Sequence, residues 1–309
     1  MERLINISEY PVKPVLRLLL KDKTTKENIV FATNSYELLG DLYKEDCPID
    51  EGLLLNMDVM DIQPRVFKDV SDQADRTKKH AEVMTPAWIV NKMNNHCDEE
   101  WFGYASVFNN ELHESWRTKS AAVCFPEGMT WKKYVDSMRL EITCGEAPYL
   151  VSRYDTTTGK IIPVKRRIGI LDRKLRVVGE NTYTRDEWLK WTIRAFQATY
   201  GYEYQGDNLL LARINLLITF VDYMEARWNE KPTEAELKKV ANIIVWNIWQ
   251  MDGLTGMVPY RYRDAMDQQI SFDFNPVNSE WKVPKEPVPA KIFDWRCKES
   301  VTYNSVKGE

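Results

Sequence analysis

The sequence predicts an α/β fold with an open sheet, and three observations carry that expectation. Short β-prone runs at 139–143, 199–204 and 248–251 alternate with helix-forming segments. The first run opens into Glu141-Ile142-Thr143-Cys144-Gly145-Glu146-Ala147-Pro148-Tyr149-Leu150, a carboxylate followed by small residues at a chain reversal. Each run also has an acid near or just beyond its end: Glu141, Glu203 and Asp252. In an open α/β sheet, a nucleotide-like cofactor binds in the crevice outside the carboxyl ends of the strands. Small residues let the backbone approach such a ligand, and carboxylates accept hydrogen bonds from its polar groups.

Composition sets the outer limits. A chain of 309 residues is enough for one large domain or two smaller ones. Hydrophobic residues make up 44% and charged residues 28%, as in ordinary globular proteins, and eleven Trp with fifteen Tyr supply a substantial core. The net charge of −4 gives no global attraction for nucleic acid, so any such contact needs a local basic patch or a partner. Cys47, Cys97, Cys124, Cys144 and Cys297 are scattered without a C-x-x-C pair, and His80, His96 and His113 are not spaced as ligands. Neither a disulfide framework nor a metal site is expected. Residues 1–14 are polar and broken by prolines, unlike a signal peptide, and the apolar runs 15–20 and 209–221 each contain an arginine. A cytoplasmic protein without membrane contact is the expectation.

Taken in order, residues 1–75 read as a small α/β extension that covers one side or edge of a larger domain spanning 76–309. Its β-prone runs 16–21 and 28–33 flank a polar turn and suggest a hairpin, followed by a short helix over 35–43 that closes near Gly40. The polar stretch 61–79, with Pro64, reads as a linker. Thr85 as cap and Pro86 at the first position then open a helix whose Trp88, Ile89 and Met93 share a face. A helix over 131–138 feeds the first strand. The insertion 154–197 begins with Lys160, Lys165, Arg166, Arg167, Arg173, Lys174 and Arg176 interleaved with β-branched residues, which predicts a strand pair with a basic face. Thr184 and Glu187 form a capping-box pattern ahead of Trp188, Trp191, Ile193, Ala195 and Phe196. After the second strand comes a helix over 209–224, and Thr233 caps another over 234–247 that runs into the third strand. A β-prone run at 270–274 precedes Asn275-Pro276-Val277-Asn278, and the proline-bearing tail 280–309 reads as extended.

In order and spacing, these stretches resemble the N6-adenine-specific DNA methyltransferases that serve as modification subunits of restriction-modification systems. Ala81-Glu82-Val83-Met84-Thr85-Pro86 is similar to the family's first motif, which meets the methionine end of S-adenosylmethionine. The Glu141 to Leu150 stretch looks like the turn beneath the same cofactor, and Gly201-Tyr202-Glu203 is similar to the strand whose acid takes the ribose. The run 211–216 is also family-like, and 247–254 resembles the segment whose aspartate meets the adenine amino group. The resemblance implies a Rossmann-like methyltransferase sheet. It places S-adenosylmethionine among Thr85, Pro86, Glu141, Thr143, Cys144, Gly145, Glu203 and Asp252, with Glu203 accepting from both ribose hydroxyls. DNA phosphates are expected at Lys165, Arg166, Arg167, Arg173 and Lys174, the densest positive cluster.

The sequence also departs from that family. Ile142 and Ala147 stand where Pro and Gly are usual, and Glu146 adds an acid that would face the cofactor's carboxylate. The catalytic Asp/Asn-Pro-Pro-aromatic signature is reduced to Asn275 and Pro276. Their amide oxygen and backbone carbonyl would accept hydrogen bonds from the adenine amino group and localise its lone pair. The missing aromatic removes a stack worth roughly 1–3 kcal/mol. Two functions follow from the resemblance. One is an adenine methyltransferase that takes its sequence specificity from a specificity or nuclease subunit; the other is an impaired S-adenosylmethionine- and DNA-binding module within a larger complex.

Overall fold

The computed structural model describes residues 4–56, 62–68, 84–264 and 285–306. In chain order the helices are α1 (Leu16–Leu19), α2 (Glu51–Leu55), α3 (Ala87–Phe102), α4 (Trp131–Asp136), α5 (Ile170–Asn181), α6 (Arg185–Gln197), α7 (Gly206–Trp228), α8 (Glu234–Asn247) and α9 (Tyr303–Val306). The strands are β1 (Asn109–Leu112), β2 (Ser115–Thr118), β3 (Arg139–Glu141), β4 (Thr199–Glu203), β5 (Ile248–Gln250), β6 (Met257–Asp264), β7 (Lys285–Pro289), β8 (Lys291–Asp294) and β9 (Glu299–Thr302). This is a mixed α/β architecture.

At its centre lies a three-stranded parallel sheet in the order β3-β4-β5. Glu203 pairs with Gln250, so β4 and β5 end in step, while Glu141 pairs with Gly201 and β3 stops two residues earlier. Parallel neighbours require crossovers, which α5 and α6 supply between β3 and β4, and α7 and α8 between β4 and β5. The sheet is shorter than the resemblance implied: the larger sheet of a Rossmann-like methyltransferase is not present among the described residues. The remaining pairs, β1-β2, β6-β7 and β8-β9, are antiparallel ribbons.

The segment from 184 to 250 follows the sequence closely because its caps are local. Thr184 accepts from the Glu187 N–H, while Thr233 and Glu236 complete a reciprocal capping box. Helix α7 is apolar nearly all round, from Leu209 to Met224, and sits in the core as such a helix must. It ends where Asn229 takes φ 54° and returns its N–H to the Glu225 carbonyl.

Three expectations are corrected. Residues 16–19 form a helical turn rather than a strand, because Pro14 starts a 3-10 turn and Leu16 and Leu19 bury a face at helical spacing. A single antiparallel bridge, Lys21 with Asn28, is what remains of the hairpin. The basic stretch is not a strand pair: it forms a 3-10 turn (Val164–Arg166) and then α5, whose Leu171, Leu175 and Val178 recur at helical spacing. Asp172 ends the extended backbone there by accepting from the Gly169 N–H at 3.1 Å. Finally, α3 begins at Ala87, and its cap comes from a distant residue: Asp155 Oδ2 accepts from the Ala87 N–H at 2.8 Å.

The N-terminal segment does more than cover an edge, since Ile5, Val12, Leu16, Leu19, Phe31 and Ile49 belong to the same core cluster as α7 and α8. Polar ties fix it in place. Gln250 accepts from the Val30 N–H and donates to the Val30 carbonyl, and fully buried Arg213 donates to the carbonyls of Leu19 and Ile248. Gln250 and Arg213 thus tie the N-terminal segment to β5. Among the described residues, no helix is long and apolar enough to cross a membrane.

A candidate cofactor crevice at the strand ends

Beyond β3 the chain turns sharply. Thr143, Gly145 and Ala147 have φ of 48°, 53° and 64°, a left-handed conformation that Gly145 adopts freely. For Thr143 and Ala147 it costs about 1–2 kcal/mol each. Hydrogen bonds from several elements hold the strained turn: Cys144 N–H donates to the Tyr202 carbonyl at 2.8 Å, Gly145 N–H to Glu203 Oε2 at 2.8 Å, and Asn215 to the Glu146 carbonyl at 3.0 Å. Asn94, from α3, donates to the Tyr149 carbonyl and closes the far side. Backbone strain over-determined in this way concentrates at ligand sites.

The turn forms one wall of a cavity of about 950 Å³ outside the carboxyl ends of β3 and β4. Ligand pockets commonly enclose roughly 300–1,000 Å³. The cavity brings together Thr85, Glu141, Thr143, Cys144, Gly145 and Glu203, with Tyr204 and Gln205 just before α7 and Asn208 in its first turn. Among the described lining residues the charged groups are all carboxylates, Glu141 and Glu203 with Glu146 at the margin.

These three carboxylates differ in how they are used. Glu203 Oε1 accepts from the N–H groups of Tyr204 and Gln205, at 3.0 and 3.1 Å, while Oε2 accepts from Gly145. A carboxylate offers about four acceptor positions, so Glu203 has one left. It therefore cannot take both ribose hydroxyls, and its first task is to lock the turn to the start of α7. Burial pushes its pKa up, and those N–H groups pull it back. Glu146 borders the crevice, but its carboxylate is already engaged by other elements. It is 3% exposed and accepts from the Arg65 N–H at 2.7 Å and the Tyr154 hydroxyl at 2.5 Å.

Glu141 is the open one. Its side-chain Oε2 is buried without a hydrogen-bond partner. Burial drives the Glu141 carboxyl well above the usual range, the Tyr149 and Leu150 N–H groups oppose that shift, and the charge of Glu203 adds to it. Asn208, 2% exposed, likewise has an Oδ1 with no partner. Cys144 is a packing residue, because burial and then the Glu141 and Glu203 charges push its thiol well up and keep it protonated.

The other sequence-derived residues fall elsewhere. Pro86 precedes α3 without lining the cavity, although its neighbour Thr85 does. Asp252 is off the wall as well: its carboxylate accepts from the Leu254 N–H at 2.8 Å and shapes the turn after β5. Asn275 and Pro276 lie outside the described residues. Of the five basic residues assigned to phosphate, Arg173 and Lys174 are 2% and 0% exposed and serve the interior. Lys174 donates to the carbonyls of Ser137 and Ala198, and Arg173 pairs with Asp98. Arg167 pairs with Asp222, so Lys165 and Arg166 alone keep exposed side chains.

Sequence reasoning missed Gln205 and Asn208. The available signal was the polar Gln205-Gly206-Asp207-Asn208 run at the head of an otherwise apolar helix. Among the described residues no cluster of His, Cys, Asp or Glu is arranged to hold a metal ion. Comparison with models of known families, with curated proteins and with solved structures found no match in any of the three.

Proposed function

We propose that the chain binds S-adenosylmethionine in this crevice and transfers its methyl group to the N6 of adenine in DNA, working with a specificity or nuclease subunit. The observation that carries the cofactor reading is the acidic crevice at the ends of parallel strands. A dinucleotide or a nucleoside triphosphate brings phosphates, for which the described wall offers no Lys or Arg. S-adenosylmethionine instead brings a sulfonium and an ammonium, together with ribose hydroxyl donors. Glu141 is the acceptor left open for a cationic donor, and Asn208 with the remaining position on Glu203 suits the hydroxyls. The bound cofactor supplies an electrophilic methyl group.

The DNA substrate rests on the order of the sequence motifs, with Asn275 and Pro276 as the acceptors for the adenine amino group. The test is single-turnover transfer from tritium-labelled S-adenosylmethionine to a mixed-sequence duplex. Wild type is expected to label adenine N6, and Asn275→Ala to lose transfer while keeping cofactor affinity. Cofactor binding without transfer by either protein supports the impaired-module reading instead. Equal transfer by the two proteins removes Asn275 from the catalytic role.

A further inference from the structure

A second cavity has the opposite electrical character. It measures about 560 Å³ and is lined by Lys119, Lys165, Arg166, Arg167, Arg176 and Arg227, with Glu180 the one acid among its described lining residues. Ile170, at the head of α5, borders the strand-end crevice, whereas Gly179 near its other end borders this cavity. Those two positions are about 13 Å apart along the axis at 1.5 Å rise per residue.

The charges divide into two groups. Arg167 and Arg176 are spent on Asp222 and Glu180. Lys119, Lys165, Arg166 and Arg227 have no carboxylate within ion-pair distance among the described residues, although they surround one hollow. Like charges gathered in this way repel, and that repulsion is relieved when an anion binds between them. Two of these guanidinium groups lie over aromatic rings, Arg166 over Trp116 at 5.5 Å and Arg227 over Trp228 at 5.0 Å. The planar guanidinium fork matches phosphate oxygens.

A separate observation points to a ligand. Arg167, whose side chain is 5% exposed, has an Nη1 with no partner, and Thr118 has a buried Oγ1 with none. Both residues line the cavity, and Val164, Leu175 and Ala226 give it an apolar side. Buried polar groups are nearly always satisfied, so two orphans at one hollow mark a place where a polar partner belongs.

We propose that this cavity is a binding site for a phosphate group borne on a nucleotide, distinct from the strand-end crevice. Lys119, Lys165, Arg166 and Arg227 hold the phosphate, and the apolar side packs against the nucleoside. The same chemistry has two sources, a free nucleotide or a nucleic-acid strand. The inference does not depend on methyl transfer.

The experiment titrates the full chain with 5′-AMP and, separately, with a short single-stranded oligodeoxynucleotide. Wild type is compared with Lys165→Glu/Arg227→Glu, whose mutated side chains are exposed. An unchanged thermal unfolding curve establishes that the variant is folded. The reversal is expected to weaken binding about tenfold or more and to flatten its salt dependence. Binding of AMP identifies a free nucleotide as a sufficient ligand; charge-dependent binding of the oligonucleotide alone assigns the phosphate to a strand. No binding of either probe, or binding that the reversal leaves unchanged, overturns the proposal.

Discussion

Arg173→Met is expected to destabilise the protein by about 3–5 kcal/mol, the range for breaking a buried ion pair by removing one partner. Arg173 is 2% exposed and Asp98 5% exposed. The guanidinium pairs with Asp98, donates to Asn91 Oδ1 at 3.0 Å and Asn95 Oδ1 at 2.8 Å, and lies over the Phe108 ring. Removing it leaves the Asp98 carboxylate buried with the Tyr134 hydroxyl at 2.9 Å as its remaining donor. That loss is a large share of the about 5–15 kcal/mol that stabilises a typical domain. Asp98→Asn combined with Arg173→Met is expected to recover part of it, because the second change removes the stranded charge. Urea unfolding of the two singles and the double measures this. A loss under about 1 kcal/mol, the level of an exposed pair, would instead agree with a surface arginine available to phosphate.

Gly206→Ala is the second large effect. A β-carbon at Gly206 would meet the Val30 carbonyl oxygen at 1.9 Å, and that neighbour is backbone with no rotamer to change. The same Gly206 donates its N–H to the Phe31 carbonyl at 2.8 Å, so the two backbones are bonded where the clash falls. Overpacking costs about 1–3 kcal/mol, and a rigid neighbour places this substitution near the top of that range. The effect reaches the crevice, because Gln205 and Asn208 flank the displaced residue on its wall. Denaturant unfolding and limited proteolysis of the N-terminal segment follow both consequences. Wild-type stability in Gly206→Ala would mean that residues 30 and 31 do not lie against α7.

Local chemistry explains which features the sequence made legible. In the 184–250 region Thr184 and Thr233 cap α6 and α8, α7 is a long apolar run, and the strands have clear β character, so all five elements were readable. The first turn was readable too, since Glu141 and Glu203 each close a strand and the structure brings them to one crevice. What escaped depends on distant partners. Arg173 and Lys174 look like part of a solvated charge run, yet Asp98 and the carbonyls of Ser137 and Ala198 receive them from other elements. Asp155 caps a helix whose first residue is far back in the chain, and nothing near Ala87 announces it. The apolar run at 16–20 is too short for its period to separate helix from strand. Glu203 and Asp252 show a further limit: residue type suggested ligand binding, while the backbone N–H groups of Gly145 and Leu254 already draw on those carboxylates.

Calorimetric titration with S-adenosylmethionine, repeated across pH, tests the central claim most directly. Glu141→Gln is the informative variant, because Glu203 also holds the turn together and its removal would confuse binding with folding. Burial and the Glu203 charge keep the free Glu141 carboxyl protonated to higher pH than an ordinary glutamate. A cationic ligand favours the carboxylate, so binding expels a proton and affinity rises with pH until the free group ionises. Wild type is expected to bind S-adenosylmethionine with this rise. Glu141→Gln should bind about ten- to a hundredfold more weakly at the upper end of the rise, with a flattened profile. No binding by the wild type, or equal affinity in the two proteins at every pH, would contradict the assignment of this crevice.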